Sequence, residues 1–178
     1  MTYPKDYRWI SLLLPPRTIV EAFALHGTLE APGAADNPVI LAWAKEVSKT
    51  LGASYTDDSV PWCGLFAAVV VKRAGKEVIR GPLWARNWTN FGVRVDAPGL
   101  GDVLVFERPG GGGHVGFYVA EDASAYHVIG GNQSDAVNVS RIAKSRCIAV
   151  RRPTYKSQPA SVKPYHVDGN GALSTNEA

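Results

Sequence analysis

Cys63 is the residue of this 178-residue chain that best suits nucleophilic chemistry. It lies in the stretch VPWCGLFAAVVVKRAG, where a turn containing Pro61 becomes an apolar helix that ends near Gly75. The first turn of a helix offers unpaired N–H groups and the positive end of the helix dipole, which favour a thiolate and can stabilise an oxyanion. Cys63 is therefore either a nucleophile or one more small residue of a buried helix.

A thiol nucleophile needs a histidine that acts first as base and then as acid, and His114 is the best of the four histidines. It follows the run PGGGG and begins the predicted strand HVGFYVA, so its imidazole is expected beside a loop that carries no side chains. His26 ends a predicted helix and His166 lies in a polar tail, which makes both poor candidates. The alternative for His114 is an exposed loop histidine.

A third polar residue should orient the imidazole, and the candidates are Asn132 and His127. If HVGFYVA and AYHVIGGNQ form a symmetric hairpin centred near Ala123, the numbers of paired residues add to about 246. His114 then lies opposite Asn132, whereas His127 is about 16 Å away along the ladder. This register predicts Asn132, and a shift in the pairing would reopen the choice of His127.

The elements that would position these residues follow from the hydrophobic periodicity. Helices are predicted over residues 18–26, over NPVILAWAKEV with Asn37 as N-cap and Pro38 in the first turn, and from Cys63 onward. After residue 100 the apolar residues favour five short strands: GDVLVFERP, HVGFYVA, AYHVIGGNQ, AVNVSRI and CIAVRRP. Helices followed by short antiparallel strands indicate an α+β fold. Residues 154–178 are polar and without periodicity, which predicts a tail that is disordered alone or extended against a partner.

Composition narrows the functional class. The chain is 46% hydrophobic and 20% charged with a net charge of +3, which is ordinary for one globular domain and too weakly basic for a nucleic-acid binder. No stretch approaches the ~20 apolar residues that span a bilayer, and no secretion signal is visible, so we expect synthesis in a bacterial cytoplasm and no membrane insertion. His114, His127 and Cys147 lack the spacing of metal ligands, and no metal or other cofactor is expected.

Four ordered motifs, PWCGLF, GDVLVF, GHVGFYV and GGNQS, resemble the papain-like cysteine hydrolases of the NlpC and CHAP type, in particular a phage-associated branch. The likeness covers residues 18–153, with an N-terminal extension at 1–17 and the polar tail at 154–178. It implies a papain-like α+β fold in which N-terminal helices pack on an antiparallel sheet of about five strands. It also implies that Cys63 is the nucleophile, that His114 is the base and that Asn132 is the polar residue found in the CHAP type. The NlpC type often places a histidine nearer to the position of His127.

The same resemblance suggests which side chains line the substrate cleft. They are Trp62, Glu30, Arg86, Asn87 and Trp88, with Glu30 as a possible ligand of a substrate amine. Core packing is the alternative for each tryptophan, and a surface carboxylate is the alternative for Glu30.

The resemblance implies cleavage of an amide bond in peptidoglycan, by a thiol endopeptidase or by an N-acetylmuramoyl-L-alanine amidase, of which we favour the endopeptidase. The protein would act as a bacteriophage endolysin or a tail-associated lysin, and would reach the cell wall through a lysis pore or as part of a particle. Two alternatives belong to other classes. One is a virion or tail protein that uses the fold for docking through residues 154–178, and the other is an acyltransferase on the same fold.

Overall fold

The computed structural model describes residues 3–33, 35–108, 111–169 and 171–177. The α-helices are α1 (Arg17–Ala24), α2 (Pro38–Glu46), α3 (Ser48–Leu51) and α4 (Cys63–Arg73). The strands are β1 (Val93–Arg94), β2 (Val103–Glu107), β3 (Gly113–Glu121), β4 (Ala125–Gly130), β5 (Asn138–Ala143) and β6 (Cys147–Arg152). Three 3-10 helices span Lys5–Leu12, Ala85–Asn90 and Lys144–Arg146.

The predicted helices are confirmed, and their ends have the expected causes. The side chain of Asn37 accepts a hydrogen bond from the backbone N–H of Val39 at 2.8 Å, and Pro38 occupies the first turn of α2. Helix α4 begins at Cys63 and is buried from Cys63 to Val71, up to its two last residues, as expected for a helix that is apolar nearly all round until Lys72 and Arg73. The short helix α3 was not predicted.

The strands form one antiparallel sheet in the order β1-β6-β2-β3-β4-β5, so the fold is α+β. The sequence predicted about five strands, and the residues that the structure describes form six. The additional strand, β1, is only two residues long and pairs Val93 with Arg152 at the edge of the sheet. A strand of this length leaves too short an alternating pattern to be recognised in the sequence.

The first two residue pairs between β3 and β4 have the predicted register. Phe117 pairs with Ile129 and Tyr118 with Val128, and the residue numbers of both pairs add to 246. An irregularity between Tyr118 and Ala120 then shifts the pairing by one residue. Strand β4 ends at Gly130, so the ladder stops before it reaches Asn132.

Helix α4 packs between helix α2 and strand β3 of the sheet. Phe66 on α4 packs edge-on against Phe117 of β3, with 6.1 Å between the ring centroids, and it contacts Trp43 of α2 on its other side at 6.3 Å. This packing holds the first turn of α4, and with it Cys63, against the beginning of β3.

The described residues of the polar tail pack on the rest of the fold, which differs from the predicted disordered or partner-bound tail. Ser161 donates a hydrogen bond from Oγ to the carbonyl of Leu14 at 2.6 Å, and His166 forms a bridge to Glu121. Val162 and Glu177 are buried. Hydrogen bonds to the sheet and to the N-terminal segment hold the tail, and such long-range bonds leave no periodic pattern in the sequence. Among the described residues no helix is long and apolar enough to cross a membrane.

Candidate active site

Cys63 is the first residue of α4 and is only 3% exposed. Burial raises the pKa of its thiol, while the backbone amides of Val115, Gly64 and Cys63 itself and the charge of Arg108 act in the opposite direction. Burial is the largest of these effects, so the thiol is protonated in this arrangement. The influence of the Val115 amide places the sulfur beside the start of β3, where His114 lies.

Gly64 allows a second segment to lie against the first turn of α4. A Cβ atom at this position would be 2.1 Å from the carbonyl oxygen of Pro82, so no larger residue fits without a shift of the backbone. The segment continues to Trp84, whose side chain is 76% exposed. An exposed tryptophan near the nucleophile is a candidate substrate contact that the sequence interpretation missed.

His114 is fully buried on β3, and its two ring nitrogens have different surroundings. Its Nε2 lies 3.0 Å from Oε1 of Gln133, whereas its Nδ1 has no hydrogen-bond partner among the described residues. A buried nitrogen without a partner is uncommon in a native fold, and on this ring it leaves one nitrogen open to a proton.

The surroundings of Gln133 determine which nitrogen of His114 carries the proton. The amide nitrogen of Gln133 donates to the carbonyl oxygens of Val128 at 3.2 Å and Asn138 at 2.8 Å, and to Oδ1 of Asn138 at 2.9 Å. The amide oxygen must therefore face His114 and accept a hydrogen bond from Nε2–H. This leaves the lone pair on Nδ1, which is the arrangement that a general base needs.

Burial lowers the pKa of His114 to about 4, and this effect exceeds the opposing effects of Glu177 and of the hydrogen bond to Gln133. His114 is therefore neutral at neutral pH. The site holds a neutral thiol and a neutral imidazole, so the proton transfer that makes a thiolate must accompany the arrival of substrate.

Asn132 is not the residue that orients His114, because Gln133 has that position. Asn132 has a φ of +56°, in the left-handed region, and its buried Oδ1 lacks a partner in the described part of the chain. The pairing predicted for Asn132 fails because β4 ends at Gly130 and the backbone turns at Asn132, which directs the next side chain back to the imidazole. Gln133 belongs to the same GGNQS motif, so the motif was informative although the residue was wrong.

His127, the alternative third residue, has both ring nitrogens occupied elsewhere. Its Nδ1 accepts a hydrogen bond from the hydroxyl of Tyr7 at 2.8 Å, and its Nε2 donates to Asp122 Oδ2 at 2.9 Å. The same carboxylate oxygen accepts a hydrogen bond from Arg141 Nε at 2.8 Å, and this interaction holds the pKa of Asp122 well below its usual range. His127 is thus part of a separate, fully bonded polar cluster.

Three of the five proposed cleft residues serve the fold. Trp62 and Trp88 are fully buried, and Trp88 donates from its indole nitrogen to the carbonyl of Pro82 at 2.9 Å. Asn87 donates from Nδ2 to the carbonyl of Gly81 at 2.8 Å.

The other two proposed cleft residues are Glu30 and Arg86. The indole of Trp62 donates to Oε2 of Glu30 at 2.9 Å, which occupies one carboxylate oxygen of that half-buried residue. Arg86 is exposed and donates from Nε to the carbonyl of Gly112 at 3.2 Å, two residues before His114. The role of Arg86 in a substrate cleft stays a prediction.

A compact acidic group lies elsewhere in the described structure. Carboxylate oxygens of Asp36, Asp57 and Asp58 lie within 4.8 Å of one another, in the loops that precede α2 and α4. Oδ2 of Asp58 accepts the backbone N–H groups of Ala31 and Asn37 at 3.0 and 2.8 Å. These bonds explain the buried Asp58 carboxylate as an organiser of the loop before α2.

No protein-family model matches the sequence, and a search of the curated proteins finds no match.

Proposed function

We propose that the protein is a papain-like cysteine hydrolase that cleaves an amide bond in the peptide of bacterial peptidoglycan. Cys63 is the nucleophile, His114 is the base and Gln133 orients the imidazole. The observation that carries the proposal is the imidazole of His114, which is anchored through Nε2–H to Gln133 and has an Nδ1 without a partner in the described structure, one residue before Val115, whose backbone amide acts on the Cys63 thiol. Nucleophile, base and orienting residue are the three parts that thiol hydrolysis needs.

In the acylation step, the proton of the Cys63 thiol passes to Nδ1 of His114 and the sulfur attacks the carbonyl carbon of the substrate. The carbonyl oxygen takes the negative charge, which the backbone N–H groups at the start of α4 stabilise. When the tetrahedral intermediate collapses, the C–N bond breaks and His114 returns its proton to the leaving amine. The product remains on Cys63 as a thioester.

In the deacylation step, water gives a proton to Nδ1 of His114 and its oxygen attacks the thioester carbon. The C–S bond then breaks and the proton returns to the sulfur, so the thiol and the neutral imidazole are regenerated. Both steps use the same imidazole nitrogen. The hydrogen bond from Nε2 to Gln133 therefore persists through the cycle and keeps the ring in one orientation.

The choice of peptidoglycan as substrate rests on the four motifs and their resemblance to NlpC and CHAP hydrolases. We favour an endopeptidase that cuts within the stem peptide or crosslink over an amidase that cuts between the sugar and the first alanine. The same residues would serve both reactions. A phage endolysin or a tail-associated lysin remains the proposed setting.

The test is digestion of purified peptidoglycan by the wild type, by Cys63→Ala and by Cys147→Ala, with mass spectrometry of the released fragments. Cys147 is a matched control because it is the second free cysteine and burial raises its thiol pKa to about 11, so it has little thiolate at neutral pH. We expect fragments with new amine ends from the wild type and Cys147→Ala, and none from Cys63→Ala. The fragment masses would name the bond. An intact wall after treatment with folded wild type would contradict the proposal.

A further inference from the structure

Residues 171–177, here called the cover segment, run along one end of the sheet next to the candidate active site. The backbone N–H of Ser174 donates to the carbonyl of Arg141 at 2.8 Å, and the carbonyl of Asn176 accepts from the backbone N–H of Ser134 at 2.9 Å. Ser134 directly follows Gln133, the partner of His114. The cover segment is therefore bound through its backbone, as an extended peptide ligand would be.

The cover segment also places a carboxylate on a prepared arginine. Arg146 contacts Glu177 with both terminal nitrogens, at 3.0 Å from Nη1 to Oε1 and 2.8 Å from Nη2 to Oε2. Its Nε donates to the carbonyl of Glu107 at 3.1 Å, which fixes the guanidinium plane. Glu177 is only 1% exposed, so its carboxylate is shielded from water. Bidentate, charge-assisted pairs between arginine and a carboxylate are among the strong hydrogen bonds in proteins.

The pair lies at the same end of the sheet as His114. Arg146 immediately precedes Cys147, which pairs with Phe106 of β2, and Phe106 pairs with His114 of β3. Glu177 raises the pKa of His114, and His114 lowers the pKa of Glu177, so the charges of the carboxylate and the imidazole act on each other. An acidic side chain thus occupies the surroundings of the proposed base.

Substrate has little access to the two proposed catalytic residues in this arrangement. His114 is fully buried and Cys63 is 3% exposed, although a substrate carbonyl must reach both. The cover segment is not part of the sheet or of a helix. It is held by the backbone hydrogen bonds of Ser174 and Asn176 and by the Arg146–Glu177 pair, so loss of that pair should lower the cost of displacing it.

We propose that Arg146 is a carboxylate-binding subsite beside His114 that takes a free carboxylate of the substrate peptide, and that the cover segment occupies this subsite as a substrate mimic until substrate displaces it. The inference deepens the proposed function and rests on it for the identity of the substrate. Arg146 would select acidic peptides, and Glu177 would hold the site closed in their absence.

The first test measures access to Cys63 and needs no hydrolysis. The parent protein is the whole chain with Cys147→Ala. The rate of Cys63 alkylation by iodoacetamide is compared in this parent and in the same protein with Glu177→Gln or Arg146→Gln. The matched control is Glu21→Gln, which breaks an ion pair between Arg17 and Glu21 on α1. We expect both test variants to react about tenfold faster than the parent, since either change removes the bidentate pair, and the control to match the parent. Unchanged rates in both test variants would overturn the inference.

The second test separates a subsite from a bridge that only stabilises the fold. Peptidoglycan fragments with free carboxylates and the same fragments with amidated carboxylates are bound to variants that also carry Cys63→Ala, so turnover plays no part. We expect Glu177→Gln to bind the free-acid fragments about tenfold more tightly than the parent, and Arg146→Gln to bind both kinds of fragment equally. Equal losses in the two variants, or no preference for the free acid in Glu177→Gln, would overturn the inference. An intact wall combined with these binding results would contradict only the proposed hydrolysis.

Discussion

Two histidines on neighbouring strands of this protein have opposite surroundings. His114 on β3 bonds to the neutral amide of Gln133 through Nε2 and has an Nδ1 without a partner in the described structure. His127 on β4 bonds to Tyr7 through Nδ1 and to Asp122 through Nε2. Both side chains are buried, so burial alone does not distinguish a candidate base from a structural histidine.

The two histidines differ in whether the second nitrogen of the imidazole has a hydrogen-bond partner, and this difference determines whether the ring can act as a base. An imidazole with one anchored nitrogen keeps its orientation and can still exchange a proton at the other. An imidazole with two partners is fully satisfied and has no ring nitrogen left for a substrate or a nucleophile. The surroundings of His114 suit a general base, whereas His127 helps to attach the N-terminal segment to the sheet through Tyr7.

The largest expected contrast is between His114→Gln and His127→Gln. Loss of the general base should lower the rate of peptidoglycan hydrolysis about 10³-fold, whereas His127→Gln should keep the rate within a factor of a few. The measurement is the initial rate of fragment release by folded proteins, with folding checked by circular dichroism. A larger loss in His127→Gln would reverse the assignment of the two histidines.

The next contrast concerns Gln133 and Asn132, which are adjacent in GGNQS. Gln133→Leu removes the acceptor of His114 Nε2–H, and we expect kcat to fall about 10²-fold because the imidazole loses its orientation. Asn132→Gly is the matched control, since glycine tolerates the positive φ of this residue, and kcat should change by less than about threefold. Rescue of kcat by Gln133→Asn is not expected, because the shorter side chain cannot reach the imidazole. Greater loss in Asn132→Gly would restore Asn132 as the orienting residue.

The polar cluster around His127 should contribute to stability rather than rate. Asp122→Asn removes the charge that Arg141 and His127 face, and we expect the free energy of unfolding to fall by about 2 kcal/mol at neutral pH. The pKa of Asp122 is lowered by Arg141, so its contribution is present above the usual carboxyl pKa of about 4 and is lost as pH falls below that value.

Urea unfolding at several pH values checks this prediction. The wild type should lose stability below pH about 4 more steeply than Asp122→Asn, while kcat at neutral pH is the same for both. Parallel stability curves for the two proteins would show that Asp122 is not ionised against Arg141 in the folded state.

The smallest expected effect belongs to Tyr7→Phe. The change leaves Nδ1 of His127 without its donor and should cost about 1 kcal/mol of unfolding free energy, with no change in kcat. Thermal unfolding and fragment release measure the two quantities. A clear fall in kcat would mean that the two histidine regions are coupled, against the separation described above.

Much of the scaffold was predictable from local patterns. The cap of α2 at Asn37, the start of α4 at Cys63 and the pairing of Phe117 with Ile129 follow from side-chain chemistry and period-two alternation. These features depend on residues that are close in sequence or on the regular pairs of one hairpin.

The finer features of the site were not predictable because they depend on tertiary contacts. Gln133, and not Asn132, meets His114 because the strand ends at Gly130 and the loop adopts left-handed backbone at Asn132, Ser134 and Asp135. The contact between Arg146 and Glu177 joins residues that are 31 positions apart. Neither contact leaves a periodic pattern in the sequence from which it could be predicted.

The most direct test of the central claim is to trap the acyl-enzyme. The wild type is mixed with peptidoglycan fragments, quenched in acid during turnover and mapped by peptide mass spectrometry, with Cys63→Ala in parallel. We predict a fragment mass on the peptide that contains Cys63, removed by hydroxylamine as a thioester should be, and no turnover by Cys63→Ala. Continued turnover by Cys63→Ala, or an adduct on another residue, would contradict the assignment of Cys63 as the nucleophile.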